Sequence, residues 1–334
     1  MPKRSPAEQL DLAITAMLAR PQVRHVPRPS AQVAKLLTLV RSLRDLPRPE
    51  FKAALKSDLQ RRTTMNEATA PAPESSAKPH FRRLNFPNIA PYFLVKRAPQ
   101  FIDFLVSAFD GTERIRVPRP NGDIMHAEVA IGDSVIELAE ANEQYPSRQM
   151  TTHLYVPNSD ITHAKATQAG ATSVYEVADQ HWGDRQGCVL DPFGNRWYIA
   201  TPKGWHPGEA GIRAVQPFLH LRDAHTFIPF VEAAFDAKAT SVAKSAEGHI
   251  LHATIEIAGA TLEIDEAHGE FQPTPFYLHV YVPDSDALYT QSLAAGAKSV
   301  TPPYTAPYGE RSATITDPFG NTWFLATHLG AGQA

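Results

Sequence analysis

The sequence is short of cysteine and of long hydrophobic runs. Its 334 residues contain one cysteine, Cys188, so no disulfide can form within the chain and no cysteine cluster can hold a metal. No apolar run approaches the roughly 20 residues that span a bilayer. Glu8 and Asp11 interrupt residues 1–19, where a secretory signal would be apolar. We therefore expect a cytoplasmic protein with no membrane partner.

Composition and charge divide the chain into a basic segment and an acidic body. Apolar residues make up 43% of the chain and charged residues 20%, which is enough to build hydrophobic cores. Residues 1–62 hold 13 Lys and Arg against 5 Asp and Glu, a net charge of +8, whereas the remainder holds 19 against 30, a net charge of −11. Apolar residues at helical spacing predict a basic helical hairpin over 1–62, and a flexible linker is predicted over 63–86.

The sequence does not identify the surface or partner that the basic segment contacts. A helix with one apolar stripe needs a surface that covers the stripe, and the body, a second chain or an acidic protein could supply it. Phe51 is the one aromatic residue of 1–62, and nucleic-acid binding would need more stacking rings. We therefore expect no nucleic-acid partner and keep a protein partner for residues 1–62 as an alternative.

An internal repeat organises the rest of the chain. Asp191-Pro-Phe-Gly-Asn-Arg-Trp recurs from Asp317 as Asp-Pro-Phe-Gly-Asn-Thr-Trp, an offset of 126 residues. The same offset relates His153-Leu-Tyr-Val-Pro to the His-Val-Tyr-Val-Pro that begins at His279. Copies of this length are domains rather than units of a solenoid. We predict one module over 87–206 and a second over 207–330.

Each copy contains two consecutive segments, and each segment has the order strand, helix and then further strands. In copy 1, apolar residues at helical spacing over 100–109 precede an alternating hairpin over 125–138. A second strand follows over 151–156, and then a helix after Asp160 that ends at Gly170. Each copy is predicted to pair two βαβββ units, an α+β fold in which helices cover one face of a curved antiparallel sheet.

The sequence leaves the pairing of these units open. A sheet could close within a copy, between the two copies or between chains. Both a monomer, as an internal pseudo-dimer, and a homodimer are therefore compatible with the sequence.

Strand alternation places polar and aromatic side chains on the face away from the helices. A face that mixes rings with His and Glu favours a ligand cup over a solvated surface. The candidate ligand-binding residues on this face are Tyr92, His126, Glu137, His153, Tyr155 and Tyr198 in copy 1, and Phe218, His220, His252, Glu263, His279, Tyr281 and Phe324 in copy 2. His220 has no counterpart in copy 1, where Leu94 stands, so the two cups are expected to differ. The sequence assigns no catalytic residue.

These features resemble the vicinal oxygen chelate superfamily, and within it tandem glyoxalase/bleomycin-resistance modules of the PhnB-like type. The resemblance is carried by the Asp-Pro-Phe-Gly-Asn turns before Trp197 and Trp323, by His126-Ala-Glu-Val-Ala-Ile-Gly-Asp, and by His181-Trp-Gly-Asp-Arg. It implies a protein that binds a small molecule in a cup.

The resemblance also implies where a metal would bind. Metal-using members take ligands from the first, fourth, fifth and last strands of a module. The aligned positions are Ala90, Glu137, Thr151 and Tyr198 in copy 1, and Gln216, Glu263, Tyr277 and Phe324 in copy 2. These sets contain too few His, Glu or Gln side chains, because a catalytic divalent ion needs about three protein ligands. We therefore expect no cofactor.

Two alternatives to simple small-molecule binding stay open. A divalent metal on His126, Glu137 and His153, or on His252, Glu263 and His279, would make the protein a lyase, isomerase or dioxygenase. A protein with degenerate cups would instead act as a scaffold whose basic helices dock a partner.

Overall fold

The structure, a computed structural model, describes residues 86–204, 213–269 and 271–330. All of them belong to one unit of the chain, Lys78–Ala334. The predicted basic hairpin of residues 1–62 lies outside the described residues, as does the predicted linker apart from Phe86. No helix among the described residues is both long and apolar enough to cross a membrane.

The predicted order of elements is confirmed, because each copy contains two βαβββ units. The elements of copy 1 are β1 (Ile89–Val95), α1 (Ala98–Phe109), β2 (Thr112–Pro118), β3 (Ile124–Ile131), β4 (Ser134–Glu140), β5 (Thr151–Tyr155), α2 (Ser159–Gln168), β6 (Thr172–Asp179), β7 (Asp184–Leu190) and β8 (Arg196–Pro202). Those of copy 2 are β9 (Val215–Leu221), α3 (Ala224–Phe235), β10 (Lys238–Lys244), β11 (Ile250–Ile257), β12 (Ala260–Glu266), β13 (Tyr277–Tyr281), α4 (Ser285–Ala294), β14 (Lys298–Ala306), β15 (Glu310–Thr316) and β16 (Thr322–His328).

Each of the two eight-stranded sheets is built from both copies. The first has the order β14-β15-β16-β13-β1-β4-β3-β2, and the second has the order β10-β11-β12-β9-β5-β8-β7-β6. Ala90 lies opposite His279 where β1 meets β13, and His153 lies opposite Gln216 where β5 meets β9. The sheets therefore close by exchange between the copies. We call the faces away from the helices cup A, on the first sheet, and cup B, on the second.

The sheets are mixed rather than purely antiparallel. Strand β1 runs parallel to β4, and β5 runs parallel to β8, whereas the strands from β2 to β4 pair antiparallel. The helix after β1 returns the chain to the end of the sheet at which β1 began, so β2 runs in the same direction as β1. Two antiparallel steps later β4 has that same direction, and it lies beside β1.

The helices pack on strands of their own copy, unlike the cups, which combine strands of both copies. Phe93 of β1 stacks on Trp197 of β8 with ring centroids 5.5 Å apart, and Phe109 of α1 lies 4.7 Å from the same indole. In copy 2, Phe235 of α3 lies 4.4 Å from Trp323. Each helix thus covers the apolar face of strands from its own copy, and burial of these rings is the main favourable term for the fold.

The repeated Asp-Pro-Phe-Gly-Asn motif is a structural turn, as its composition predicts. Oδ1 of Asp191 accepts hydrogen bonds from the backbone N of Phe193 and Asn195, each at 2.8 Å. Oδ2 accepts from Asn195 Nδ2 and from the Trp197 indole, each at 2.9 Å. One buried carboxylate therefore satisfies four donors and fixes the turn against the core tryptophan.

Candidate functional site

The floor of cup A is a buried contact between a carboxylate and an imidazole from different copies. Nδ1 of His279 on β13 lies 2.6 Å from Oε2 of Glu137 on β4, and the Glu137 side chain is fully buried. The hydroxyl of Tyr281 lies 3.3 Å from Oε1 of Glu137 and 3.2 Å from Oε1 of Glu310, and its one hydrogen can be donated to either. The exchange of units brings these groups together, because β13 and β4 flank β1 in one sheet.

Cup B repeats this floor with equivalent residues. Nδ1 of His153 lies 2.8 Å from Oε2 of Glu263, and the Tyr155 hydroxyl donates to the other carboxylate oxygen at 3.0 Å. The second imidazole nitrogen of His153 lies 3.0 Å from Oε1 of Gln186. His252 is more distant, with its Nε2 at 3.5 Å from Glu263.

The two groups at this floor stabilise each other's charged forms. Burial alone would raise the pKa of Glu263, but the charge and hydrogen bond of His153, with a smaller contribution from His252, outweigh burial and lower it to about 2. Burial alone would lower the pKa of His153, but the charge and hydrogen bond of Glu263 outweigh it, so the pKa is raised. The pair is therefore an ion pair over the middle of the pH range.

The structure regroups the candidate residues across the copies. Cup A receives Tyr92, His126, Glu137, His279, Tyr281 and Phe324, and cup B receives His153, Tyr155, Tyr198, Phe218, His220, His252 and Glu263. The sets of the metal alternative, with His153 beside Glu137 or His279 beside Glu263, are not brought together, because their members lie on different sheets.

Cup A encloses a cavity of about 690 Å³ with aromatic walls. Phe324 lies at the centre of a ring cluster, with Tyr92 at 5.1 Å and Tyr145 at 5.7 Å between centroids. The hydroxyl of Tyr92 lies 3.2 Å from Nδ1 of His126, whose Nε2 is 3.2 Å from Glu128. A volume of this size suits a drug-sized organic molecule.

Cup B is lined by side chains that pack on one another. Tyr198 and Phe218 meet edge to face at 5.5 Å, and Phe271 from the loop before β13 packs against them. Nδ1 of His220 lies 2.6 Å from Oδ1 of Asp265, and both side chains are buried. Cup A has Leu94 and Ala139 at the positions of this pair, so the expected difference between the cups is present.

Sequence reasoning missed several acidic and amide groups of the cups. Asp265 follows Glu263 by two residues on β12, so alternation would have placed it on the cup face. Glu310 and Gln186 come from β15 and β7, whose side of the sheet was not assigned. The signal for Glu310 is its repeat partner Asp184, which is also acidic.

The donor set of the cups does not fit a catalytic metal ion at the positions implied by the resemblance. After the exchange, cup A offers Ala90, Glu137, Tyr277 and Phe324, and cup B offers Gln216, Glu263, Thr151 and Tyr198. Oε1 of Gln216 is buried without a hydrogen-bond partner, but Glu263 is held by His153. Among the described residues, no three His, Cys, Asp or Glu side chains converge as a metal site.

Curated proteins similar to this chain match about one copy of the repeat. An uncharacterized protein of Mycobacterium bovis is 38% identical over 127 residues, which are 35% of this chain and 84% of that protein. An uncharacterized protein of Mycobacterium tuberculosis is also 38% identical over 127 residues, which are 75% of its length.

Known structures and sequence families agree on the tandem fold. The crystal structure of glyoxalase I from Zea mays matches 72% of this chain and 92% of that chain with a TM-score of 0.56 and 14% identity, a likeness of fold alone. The sequence signature of one superfamily matches residues 86–199 and again residues 216–325, more than half of the chain. The chain belongs to the Glyoxalase/Bleomycin resistance protein/Dioxygenase superfamily.

Proposed function

We propose that the protein binds a small organic molecule in cup A and releases it chemically unchanged. The observation that carries this proposal is the cavity of about 690 Å³, whose walls combine Tyr and Phe rings with carboxylate, imidazole and amide groups. Binding proteins of this kind work by sequestration, which needs no metal and no catalytic residue.

The polar groups of cup A support binding rather than covalent chemistry. Glu137 and His279 are engaged with each other at 2.6 Å, and His126 is held between Tyr92 and Glu128. Such contacts fix the side chains in one arrangement, which reduces the entropy lost when a ligand binds. They leave phenol, imidazole and carboxylate edges that can orient a guest by hydrogen bonds.

A cavity-filling variant tests the site. Ala139 on β4 lines cup A, so Ala139→Phe would occupy ligand space, whereas Val242→Phe on the exposed face of β10 would not. We expect compounds found in a screen by ligand-detected NMR with the full chain to lose binding in Ala139→Phe and to keep it in Val242→Phe. Thermal unfolding of both variants checks that they fold. A set of hits that binds all three proteins equally would contradict the proposed site.

The metal-dependent alternative predicts a different result. Metal analysis of the purified full chain would then find a stoichiometric divalent ion that is lost on Glu137→Gln or Glu263→Gln. Conversion of a bound compound to a product would likewise replace the binding function with an enzymatic one. The expected result under our proposal is that compounds are recovered unchanged.

The role of residues 1–62 stays a prediction, since these residues lie outside the described ones. Deletion of 1–62 is expected to leave ligand binding to cup A unchanged. If the segment docks a protein partner, the deletion removes that interaction alone.

A further inference from the structure

Cup A has an excess of carboxylates over cations. Glu128, Glu140 and Glu310 line the cavity, and Glu137 lies at its floor. Arg119 is the lining arginine, and it is exposed to solvent that screens its charge. The imidazoles of His126 and His279 are the other basic side chains of the lining among the described residues.

Three of these four carboxylates contact an imidazole or two backbone N–H groups at the start of a helix. Glu140 accepts from the backbone N of Arg97 at 2.7 Å and of Ala98 at 2.9 Å, where it caps the start of α1. Glu128 lies beside His126, and Glu137 lies beside His279.

Glu310 differs from the other three. Its side chain lines the cavity although the residue is 6% exposed, and the Tyr281 hydroxyl lies 3.2 Å from its Oε1. Among the described residues, no Lys, Arg or His lies within ion-pair distance of it. A buried carboxylate without a cation is costly, and a cation placed in the cavity would remove that cost.

The rings around Glu310 would receive the same ligand. Tyr92, Tyr308 and Phe324 line the cavity with the carboxylates, and ring faces attract cations as well as flat apolar bodies. Burial raises the pKa of Tyr92, and the charges of Glu137, Glu128 and Glu310 raise it further, which reflects the negative potential at this wall.

Cup B does not repeat this arrangement. Thr254 replaces Glu128, and Asp184, the counterpart of Glu310, is partly exposed and has the charge of His153 nearby. Cup B can therefore serve as an internal control for the chemistry proposed for cup A.

We propose that the ligand of cup A is an organic cation with a flat aromatic body, whose positive group lies against Glu310 and whose ring lies against the joined rings of Tyr92 and Phe324. This inference rests on the proposed function and specifies its ligand class. Amines, amidines and guanidines attached to a ring system meet these requirements, whereas flat carboxylates and phosphates do not.

Three matched probes test the inference on the full-length protein. Proflavine is a flat cation, acridine is its ring system without charge at mildly alkaline pH, and 9-anthracenecarboxylate is a flat anion. Calorimetry or fluorescence anisotropy gives their affinities. We expect proflavine to bind about tenfold or more tightly than acridine, with the anion weakest, and high salt to reduce the preference.

Paired variants locate the charge. Glu310→Gln is expected to weaken proflavine binding about tenfold and to leave acridine binding unchanged, whereas Asp184→Asn, the equivalent change in cup B, changes neither. Thermal unfolding of both variants checks their folding, and the comparison of three probes on the unaltered chain needs no variant.

Each contrary outcome overturns the inference. Equal binding of proflavine and acridine, tighter binding of the anion, or no saturable binding of any probe would each do so. An equal loss in Asp184→Asn and Glu310→Gln would place the probe elsewhere. If acridine binds and Ala139→Phe abolishes its binding, the proposed function stands while the cation preference fails.

Discussion

At the scale of single residues, the ion pair of His153 and Glu263 links stability to pH. The pKa of Glu263 lies below its usual value of 4.5, so its contribution is present above that pH and is lost as the pH falls towards 2. The pKa of His153 is raised from 6.5, so its contribution is full below that pH and is lost as the pH rises through the folded-state value. The pair is therefore most stabilising between these two limits.

We predict that Glu263→Gln lowers the free energy of unfolding most between the usual pKa values of these two groups. One pKa unit corresponds to about 1.4 kcal/mol, so the loss is on the order of 3 kcal/mol. Urea unfolding across the pH range measures it, with Glu256→Gln on the exposed face of β11 as the control. A difference between Glu263→Gln and the unaltered chain that does not shrink at low pH would contradict the ion pair.

The turn carboxylates make a second prediction at this scale. Asp191→Asn keeps the size of the side chain but replaces an acceptor oxygen with an amide that faces the donors of Asn195 and Trp197. We expect a loss of about 2–3 kcal/mol in the free energy of unfolding, because buried donors are left unpaired. Urea unfolding measures it against Asp103→Asn on the exposed side of α1. Equal stability of the two variants would show that the turn does not depend on this carboxylate.

At the scale of elements, the approach of α2 to β7 depends on a missing side chain. A Cβ at Gly187 would lie 2.7 Å from Val177 and 2.9 Å from His163, which is buried on α2. The repeat partner of Gly187 is Ala313, which is buried on β15 of copy 2. The two copies therefore differ by one methyl group where the strand equivalent to β7 lies in the core.

We predict that Gly187→Ala destabilises the protein by about 1–3 kcal/mol, because an added methyl group in a packed interface forces neighbours apart. Thermal unfolding measures the change. The matched substitution Ala313→Gly removes a buried methyl without a clash, so it is expected to leave a small cavity and no displaced helix. An unchanged melting temperature for Gly187→Ala would mean that α2 moves at little cost.

Helix boundaries show what local sequence signals can predict. Gly170 ends α2 with a φ of 102°, as expected for a residue without a Cβ. The helix begins earlier than predicted, because the side chain of Asn158 accepts from Ile161 N and caps it before Asp160. For α1 the local signal is Pro99 in the first turn, but the cap is Glu140 from a distant strand, which no neighbouring residue indicates.

At the scale of the whole molecule, the exchange of units makes each copy incomplete. Strand β1 pairs with β13, and β5 pairs with β9, so copy 1 alone would leave two sheet edges unpaired. Unpaired edges in a duplicated fold are templates for a second copy. The curated relatives in Mycobacterium match 127 residues and so correspond to one copy.

We predict that a chain of residues 78–206 dimerises and rebuilds both cups from two identical copies. Light scattering after size exclusion measures the mass, and dilution should shift the dimer towards unfolded or aggregated monomer. The control is residues 78–330, whose sheets are complete within the chain. A stable, folded monomer of 78–206 would show that one copy can close its own cup.

The sequence by itself determined the duplication, the order of elements in each βαβββ unit, and the side of the strands on which His126, Glu137, His153 and their repeats lie. These are local properties, since strand alternation has a period of two residues and turns depend on neighbouring side chains. The tertiary structure alone decided that His279, not His153, meets Glu137, and that Glu310 closes the same cavity. The physical reason is that a duplicated sequence offers nearly equivalent strand edges in both copies. The choice between these edges depends on how whole βαβββ units pack together. No single stretch of residues indicates that choice.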